Sequence, residues 1–344
     1  MFQILVFLLL SQTSWNADLP LANQESVGEA VPISPPSLPE PQRENILRTA
    51  PLSDFEVRAS DQVWMVSSRS ICQTSVPTDR LQINHRSRDA RWLESRHADF
   101  LASNSDGIPR RTVVYVHGNL TPHSKALRDG LATYDQTFLS WEEAPPVRFV
   151  IWSWPSTQVT RGVRDVRLKA SYAQQHAHHL ARWLASLPQG EQVSVIGYSY
   201  GARLSINALN ILASNPTLQS ANQPGTIGAD PSAKVNLTLV AGGIRNDCFS
   251  NTHWRALTKV NHMFVLYNSR DQFLRFYRLL KFDGKREALG YTGVRGLRPG
   301  CIGWGQIEQF DASVRVGREH SYLDYVVDRR VENLLRKNLF ATGQ

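Results

Sequence analysis

The heptapeptide Ile196-Gly197-Tyr198-Ser199-Tyr200-Gly201-Ala202 constrains this chain more than any other stretch. It follows the β-branched run Val193-Ser194-Val195-Ile196 and precedes a segment with Leu204, Ala208, Leu209 and Leu212 at helical spacing. A strand that turns straight into a helix crowds the corner residue and strains its backbone. Glycine on both sides relieves the crowding and leaves the Ser199 hydroxyl exposed at the strand end. The helix that starts there points its free N–H groups at the same place, where they can stabilise developing negative charge. G-x-S-x-G by itself recurs by chance; between a strand and a helix it predicts a nucleophilic serine.

The chain around this corner alternates short apolar runs with longer amphipathic ones. Strands are predicted at 63–66, 81–84, 113–116, 149–152, 193–196, 237–241 and 263–267, and within 307–316. From 163 to 187 the positions Val166, Ala170, Ala173, Ala177, Leu180, Ala181 and Leu184 fall at helical spacing, and Pro188-Gln189-Gly190 stops the run. A last helix is predicted over 322–338. Strands alternating with helices imply a largely parallel sheet with helices on both faces, whose ligands bind beyond the carboxyl ends of the strands.

With 344 residues, 42% of them apolar, the chain can bury a large core without metals or disulfides. Cys72, Cys248 and Cys301 are odd in number and contain no C-x-x-C, which excludes a disulfide framework or a zinc ribbon; they are read as inert thiols. The net charge of +8 makes the surface basic, but the basic residues are scattered singly and no nucleic-acid motif accompanies them, so no nucleic-acid partner is predicted. Residues 1–10 are almost wholly apolar, too few to span a bilayer but suited to a secretory signal. The predicted organisation is a signal peptide over 1–17, a disordered Pro-, Ser- and Glu-rich linker over 18–51 and a catalytic domain over 52–344, exported to the periplasm, envelope or medium.

About 80 residues before Ser199, the strand at 113–116 ends in His117-Gly118-Asn119-Leu120. With this H-G element ahead of the G-x-S-x-G corner, residues 60–340 resemble the α/β-hydrolase superfamily, as an esterase- or lipase-like serine hydrolase. The resemblance implies an α/β-hydrolase fold with a mostly parallel, eight-stranded sheet. It also implies an oxyanion hole made of two backbone amides, Tyr200 and either Asn119 or Leu120. The H-G-G-G form of one lipase branch is absent, so that branch's substrates are not carried over.

The superfamily's order of serine, acid and histidine points to Asp271, a few residues past the strand at 263–267, and to His320, in the loop before the last helix. Asp247, past the earlier strand, competes with Asp271 for the acid's role. His117 precedes Ser199 and is read as bracing its loop; His253 and His262 sit at the wrong places for a base. The expected chemistry is hydrolysis of a small-molecule acyl substrate through an acyl-enzyme, with no cofactor and no metal. Trp152 and Trp154, at a strand's carboxyl end, are expected to wall an acyl pocket shaped by the loops 155–163, 214–234 and 282–300. His176, His178 and His179 are read as a solvated helix face rather than a metal cluster, and Arg161, Arg164 and Arg167 as a basic face that could rim the mouth. The alternative function is a non-catalytic α/β-hydrolase-fold protein that binds a partner in the cell envelope.

Overall fold

Apolar runs without polar interruption bury both faces of a strand, and their residues sort by parity. In the run at 113–116, Val114 and Val116 join one apolar cluster while Val113 and Tyr115 join a second. The next parallel strand behaves alike: Val150 and Trp152 face the first cluster, Phe149 and Ile151 the second. Two cores, one on each side of a single sheet, follow from this pattern.

The computed structural model describes residues 47–71, 78–215, 218, 225–230, 232–281, 283–300 and 304–341. Its strands are β1 (Gln62–Ser67), β2 (Gln82–Arg86), β3 (Trp92–Ser95), β4 (Arg111–Val116), β5 (Val147–Ser153), β6 (Val193–Tyr198), β7 (Val235–Val240), β8 (Val260–Tyr267) and β9 (Ile307–Asp311). They form one sheet in the order β3-β2-β1-β5-β4-β6-β7-β8-β9. β2 runs antiparallel to its neighbours β1 and β3, and every other pairing is parallel. The α/β architecture is as expected, but the sheet has nine strands rather than eight. The extra one, β3, is a short edge strand with no buried residue, so no hydrophobic alternation marks it in the sequence.

The main helices are α1 (His97–Ala102), α2 (His123–Tyr134), α3 (Gly162–Ala185), α4 (Tyr200–Ser214), α5 (Tyr322–Val326) and α6 (Arg329–Leu339). Helices α1, α3 and α4 pack on the first cluster, and α2, α5 and α6 on the second. The helix expected over 322–338 is broken in two because the Asp328 carboxylate accepts from the amides of Arg330 and Val331 and starts a new helix there. No described helix is long and apolar enough to cross a membrane.

The signal expected at 1–17 and most of the expected linker lie outside the described residues. The last part of that linker does not behave as one: Leu47 is buried in the second cluster and Arg48 pairs with Asp324 at 2.7 Å. The folded domain therefore begins by Leu47 rather than at residue 52. Cys72 and Cys301 also lie outside the described residues; Cys248 is a buried free thiol.

Chain connectivity changes direction at β4, which pairs with β5 on one side and with β6 on the other. Diverging connections at such a point leave a crevice beyond the strand ends. The 117–121 loop after β4 and Ser199 after β6 border that crevice together.

Candidate active site

Ser199 has φ +51° and ψ −114°, a conformation that side-chain-bearing residues rarely adopt. Its neighbours over-determine it. The Ser199 amide donates to the Val240 carbonyl at 2.9 Å, and its own carbonyl accepts from Gly243 at 2.9 Å and Ala202 at 3.1 Å. A methyl group at Gly201 would lie 2.0 Å from the Val116 carbonyl oxygen, and one at Gly197 would lie 2.7 Å from the Ala202 Cα. Both glycines are therefore needed for α4 to start so close to β4 and β6.

The Ser199 Oγ lies 3.1 Å from His320 Nε2, and His320 Nδ1 lies 2.6 Å from Asp271 Oδ2. A carboxylate only accepts, so Nδ1 carries the imidazole proton and Nε2 is left to accept from the serine hydroxyl. Asp271 is fully buried. Its Oδ1 accepts from the amides of Phe273 and Leu274, both at 2.9 Å, and Oδ2 also accepts from the Tyr325 hydroxyl at 3.3 Å. The His320 carbonyl accepts from the Tyr198 hydroxyl at 2.6 Å, and the Tyr198 and Phe273 rings flank the imidazole at 5.5 and 5.6 Å. Asp247, the other candidate acid, instead binds Arg245 and Arg286, with its Oδ2 at 2.8 and 3.1 Å from their side chains. His253 lies against Asn207 and His262 against Asn338.

Asn119 and Leu120 border the same cavity as Ser199, Tyr200 and His320. Leu120 is left-handed, with φ +54°. No described carbonyl accepts from the amide of Asn119 or Leu120, and Tyr200 opens α4, where the first amides have no partner within the helix. Gly118 permits the close approach: a Cβ there would meet the Tyr198 ring at 2.8 Å and the Ser199 Cβ at 3.1 Å. His117 is fully buried, and burial together with the Arg69 cation lowers its pKa to about 3. Its neutral ring accepts the Trp154 amide at Nε2, 3.2 Å away, so the Nδ1–H donates to the Gly118 carbonyl at 2.9 Å.

The cavity holds about 250 Å³. Its apolar wall is built by Phe273, Phe276, Tyr277 and Leu280, around the 3₁₀ turn Leu274–Leu280, and Val166 of α3 also lines it. Tyr277 is tied down by Asp283 and by Arg203, which are themselves ion-paired. Among the described residues two cations reach the cavity, and each faces a carboxylate: Lys125 meets Asp129 at 2.6 Å and Arg48 meets Asp324 at 2.7 Å.

Several expectations about the pocket need correction. Trp152 and Trp154 are fully buried and do not line the cavity. α3 covers the end of β5, so Trp152 packs on Trp183 at 5.9 Å, while Trp154 stacks on His117 at 5.7 Å. The loop 155–163 and the described residues 283–300 do not line the cavity either, and residue 282 and most of 214–234 lie outside the described residues. The wall over 273–280 was missed, although its apolar residues at near-helical spacing directly follow Asp271. Arg48 was missed because it belongs to a stretch read as disordered.

His176 and His179 are buried rather than solvated. His176 Nδ1 lies 3.0 Å from Ser68 Oγ, and burial lowers its pKa to about 4. Among the described residues no three His, Cys, Asp or Glu side chains are grouped so as to hold a metal. Arg161 and Arg164 are exposed, while Arg167 donates to the Leu280 carbonyl at 3.1 Å, at the cavity wall.

Residues 94–292 match the model of a family described as alpha/beta hydrolase of unknown function (DUF900). Comparison with curated proteins finds no match. Among solved structures, a protein of Lactobacillus plantarum WCFS1 described as a cell surface hydrolase is similar with a TM-score of 0.32 and 9% identity, over 89% of this chain and 88% of that one.

Proposed function

The chain belongs to the DUF900 family of alpha/beta hydrolases, and from that premise we propose that it is a serine hydrolase that cleaves a carboxylic ester or similar acyl bond. The observation that carries the proposal is the unbroken hydrogen-bonded series from Ser199 Oγ through His320 to buried Asp271, opening into a cavity with an apolar wall.

In this reading Ser199 Oγ attacks the acyl carbon while His320 Nε2 takes its proton, and Asp271 stabilises the imidazolium that forms. The tetrahedral oxyanion is held by the amide of Tyr200 and by that of Asn119 or Leu120. Collapse expels the alcohol, which takes the proton back from His320. Water then attacks the acyl-enzyme with His320 again as base, and releases the acid and free Ser199.

The acyl group fits best as a neutral, apolar one, because the wall is aromatic and aliphatic and both nearby cations already face carboxylates. The cavity of about 250 Å³ has room for an acyl chain of several carbons along that wall. On transfer energetics of about 0.8 kcal/mol per buried methylene, kcat/KM should rise about fourfold per carbon until the cavity is full.

A fluorophosphonate probe and a series of p-nitrophenyl acyl esters test the proposal. Ser199 should be labelled, and Ser199→Ala should abolish both labelling and turnover with the fold intact. Absence of both labelling and turnover in the parent would refute it and leave the binding-protein reading, and equal turnover by Ser199→Ala would refute it by placing the nucleophile elsewhere.

A further inference from the structure

Arg69, two residues past the end of β1, makes four side-chain contacts with the end of β5 and the loops that follow β4 and β5, and does not itself line the cavity. Its Nε donates to Ser153 Oγ at 2.7 Å and its Nη1 to Thr157 Oγ1 at 3.2 Å. Its Nη2 donates to the Thr121 carbonyl at 2.7 Å and lies 3.3 Å from His117 Nε2. Arg69 is partly buried, and among the described residues no carboxylate pairs with it; burial lowers its pKa to about 10. Partial burial of a cation without a counter-ion costs stability, and a planar five-donor fork is the one side chain that can reach all four partners. The arrangement brackets the 117–121 loop: one Arg69 nitrogen contacts both its first residue and its last.

The two candidate oxyanion amides lie within that bracket, each on a peptide unit whose carbonyl already accepts a hydrogen bond. The Gly118 carbonyl, on the same peptide as the Asn119 N–H, accepts from His117 Nδ1–H at 2.9 Å. The Asn119 carbonyl, on the same peptide as the Leu120 N–H, accepts from the Thr121 hydroxyl at 3.0 Å. A donor on the carbonyl side polarises a peptide and makes its N–H a stronger donor. The strained left-handed backbone of Leu120 persists only if its surroundings hold it.

We infer that Arg69 is a positioning residue for the oxyanion hole, acting through His117 and Thr121 to hold and polarise the peptides of Asn119 and Leu120. This rests on the serine-hydrolase reading above. Arg69 touches neither substrate nor Ser199; its effect reaches the transition state through the geometry and donor strength of those amides.

The test uses Arg69→Met, Arg69→Lys and Thr121→Val in the full-length protein. Turnover of a p-nitrophenyl ester is expressed per fluorophosphonate-titrated site, and affinity is measured for a trifluoromethyl ketone, which adds to the serine as a tetrahedral oxyanion. Removing one oxyanion donor outright costs about 100- to 1000-fold in kcat. Arg69 acts at one remove, so Arg69→Met should lose about 10- to 100-fold in kcat per site, with KM within about threefold of the parent. Ketone affinity should fall in parallel with kcat/KM. Arg69→Lys keeps the charge but not the fork and should fall nearly as far; Thr121→Val should lose about tenfold.

A merely structural role would lower the melting temperature or the fraction of titratable sites and leave kcat per site and ketone affinity unchanged. Values within twofold of the parent for the folded variants would overturn the inference. If Arg69→Met does not fold, Arg69→Lys and Thr121→Val decide it by the same criterion. Failure of the parent protein to label at Ser199 is a separate result: it removes the serine-hydrolase reading and this inference with it.

Discussion

Asp271→Asn is the substitution whose outcome the geometry specifies most fully. Asp271 is fully buried, and Oδ1 accepts two backbone amides, from Phe273 and Leu274. An asparagine must keep its carbonyl oxygen there to satisfy those donors, which puts its NH₂ where Oδ2 now meets His320 Nδ1 at 2.6 Å. Two donors cannot face each other, so the imidazole must leave Nδ1 bare and carry its proton on Nε2. Nε2 is the nitrogen 3.1 Å from Ser199 Oγ, and once protonated it cannot take the hydroxyl proton. The analogous change in a serine-protease triad lowers kcat by about 10⁴, which is about 5.5 kcal/mol at 1.36 kcal/mol per decade. The same order is expected here, with KM for a p-nitrophenyl ester nearly unchanged and fluorophosphonate labelling slowed in proportion. The two amide bonds survive in weaker, uncharged form, so thermal or urea unfolding should show a loss of only about 1 kcal/mol. Asp247→Asn, whose side chain pairs with Arg245 and Arg286 and not with His320, should leave kcat within a few-fold. More than a tenth of parental kcat in Asp271→Asn, or a collapse in Asp247→Asn, would refute the reasoning.

Two other outcomes concern stability. Gly201→Ala puts a methyl 2.0 Å from the Val116 carbonyl oxygen and 2.7 Å from that of His117. Both are backbone atoms that cannot swing aside, so urea unfolding should show a loss of about 3 kcal/mol or more; a loss under 1 kcal/mol would mean that α4 and β4 are not so closely apposed. His117 and His176 are buried with pKa values lowered, chiefly by burial, to about 3 and about 4, so unfolding below pH 6.5 takes up protons that the folded state refuses. Stability should therefore fall as pH drops through 6.5, with a slope approaching about 1.4 kcal/mol per unit for each histidine well below that pH, or about 3 kcal/mol for the pair between pH 6.5 and 5. Replacing each with Asn should flatten the slope by its share, and an unchanged slope in both variants would show that neither histidine is buried neutral.

Local patterns carried a large part of the fold. Period-2 and period-3.6 hydrophobicity reflect which face of an element is buried, a property each segment expresses on its own, so all strands but edge strand β3 could be located. The strand–Gly–x–Ser–x–Gly–helix corner is likewise a local steric problem with a local solution, and Ser199 could be singled out without any distant contact. The H-G element after β4 and the chain order of Ser199, Asp271 and His320 were readable through the family resemblance.

What the sequence left open were facts about residues far apart in the chain. Asp247 and Asp271 both follow parallel strands. Only the folded loops decide which carboxylate reaches His320, and they leave Asp247 between two arginines. Trp152 and Trp154 look the same in sequence whether they wall a pocket or fill a core; Trp183 of α3 against the first and His117 of the loop after β4 against the second made them core. The cavity wall at 273–280, the docking of Leu47 and Arg48 and the four contacts of Arg69 join segments tens to hundreds of residues apart. Such contacts leave no periodic trace, because they depend on the order in which strands assemble in the sheet and on how closely the connections beyond their ends can pack.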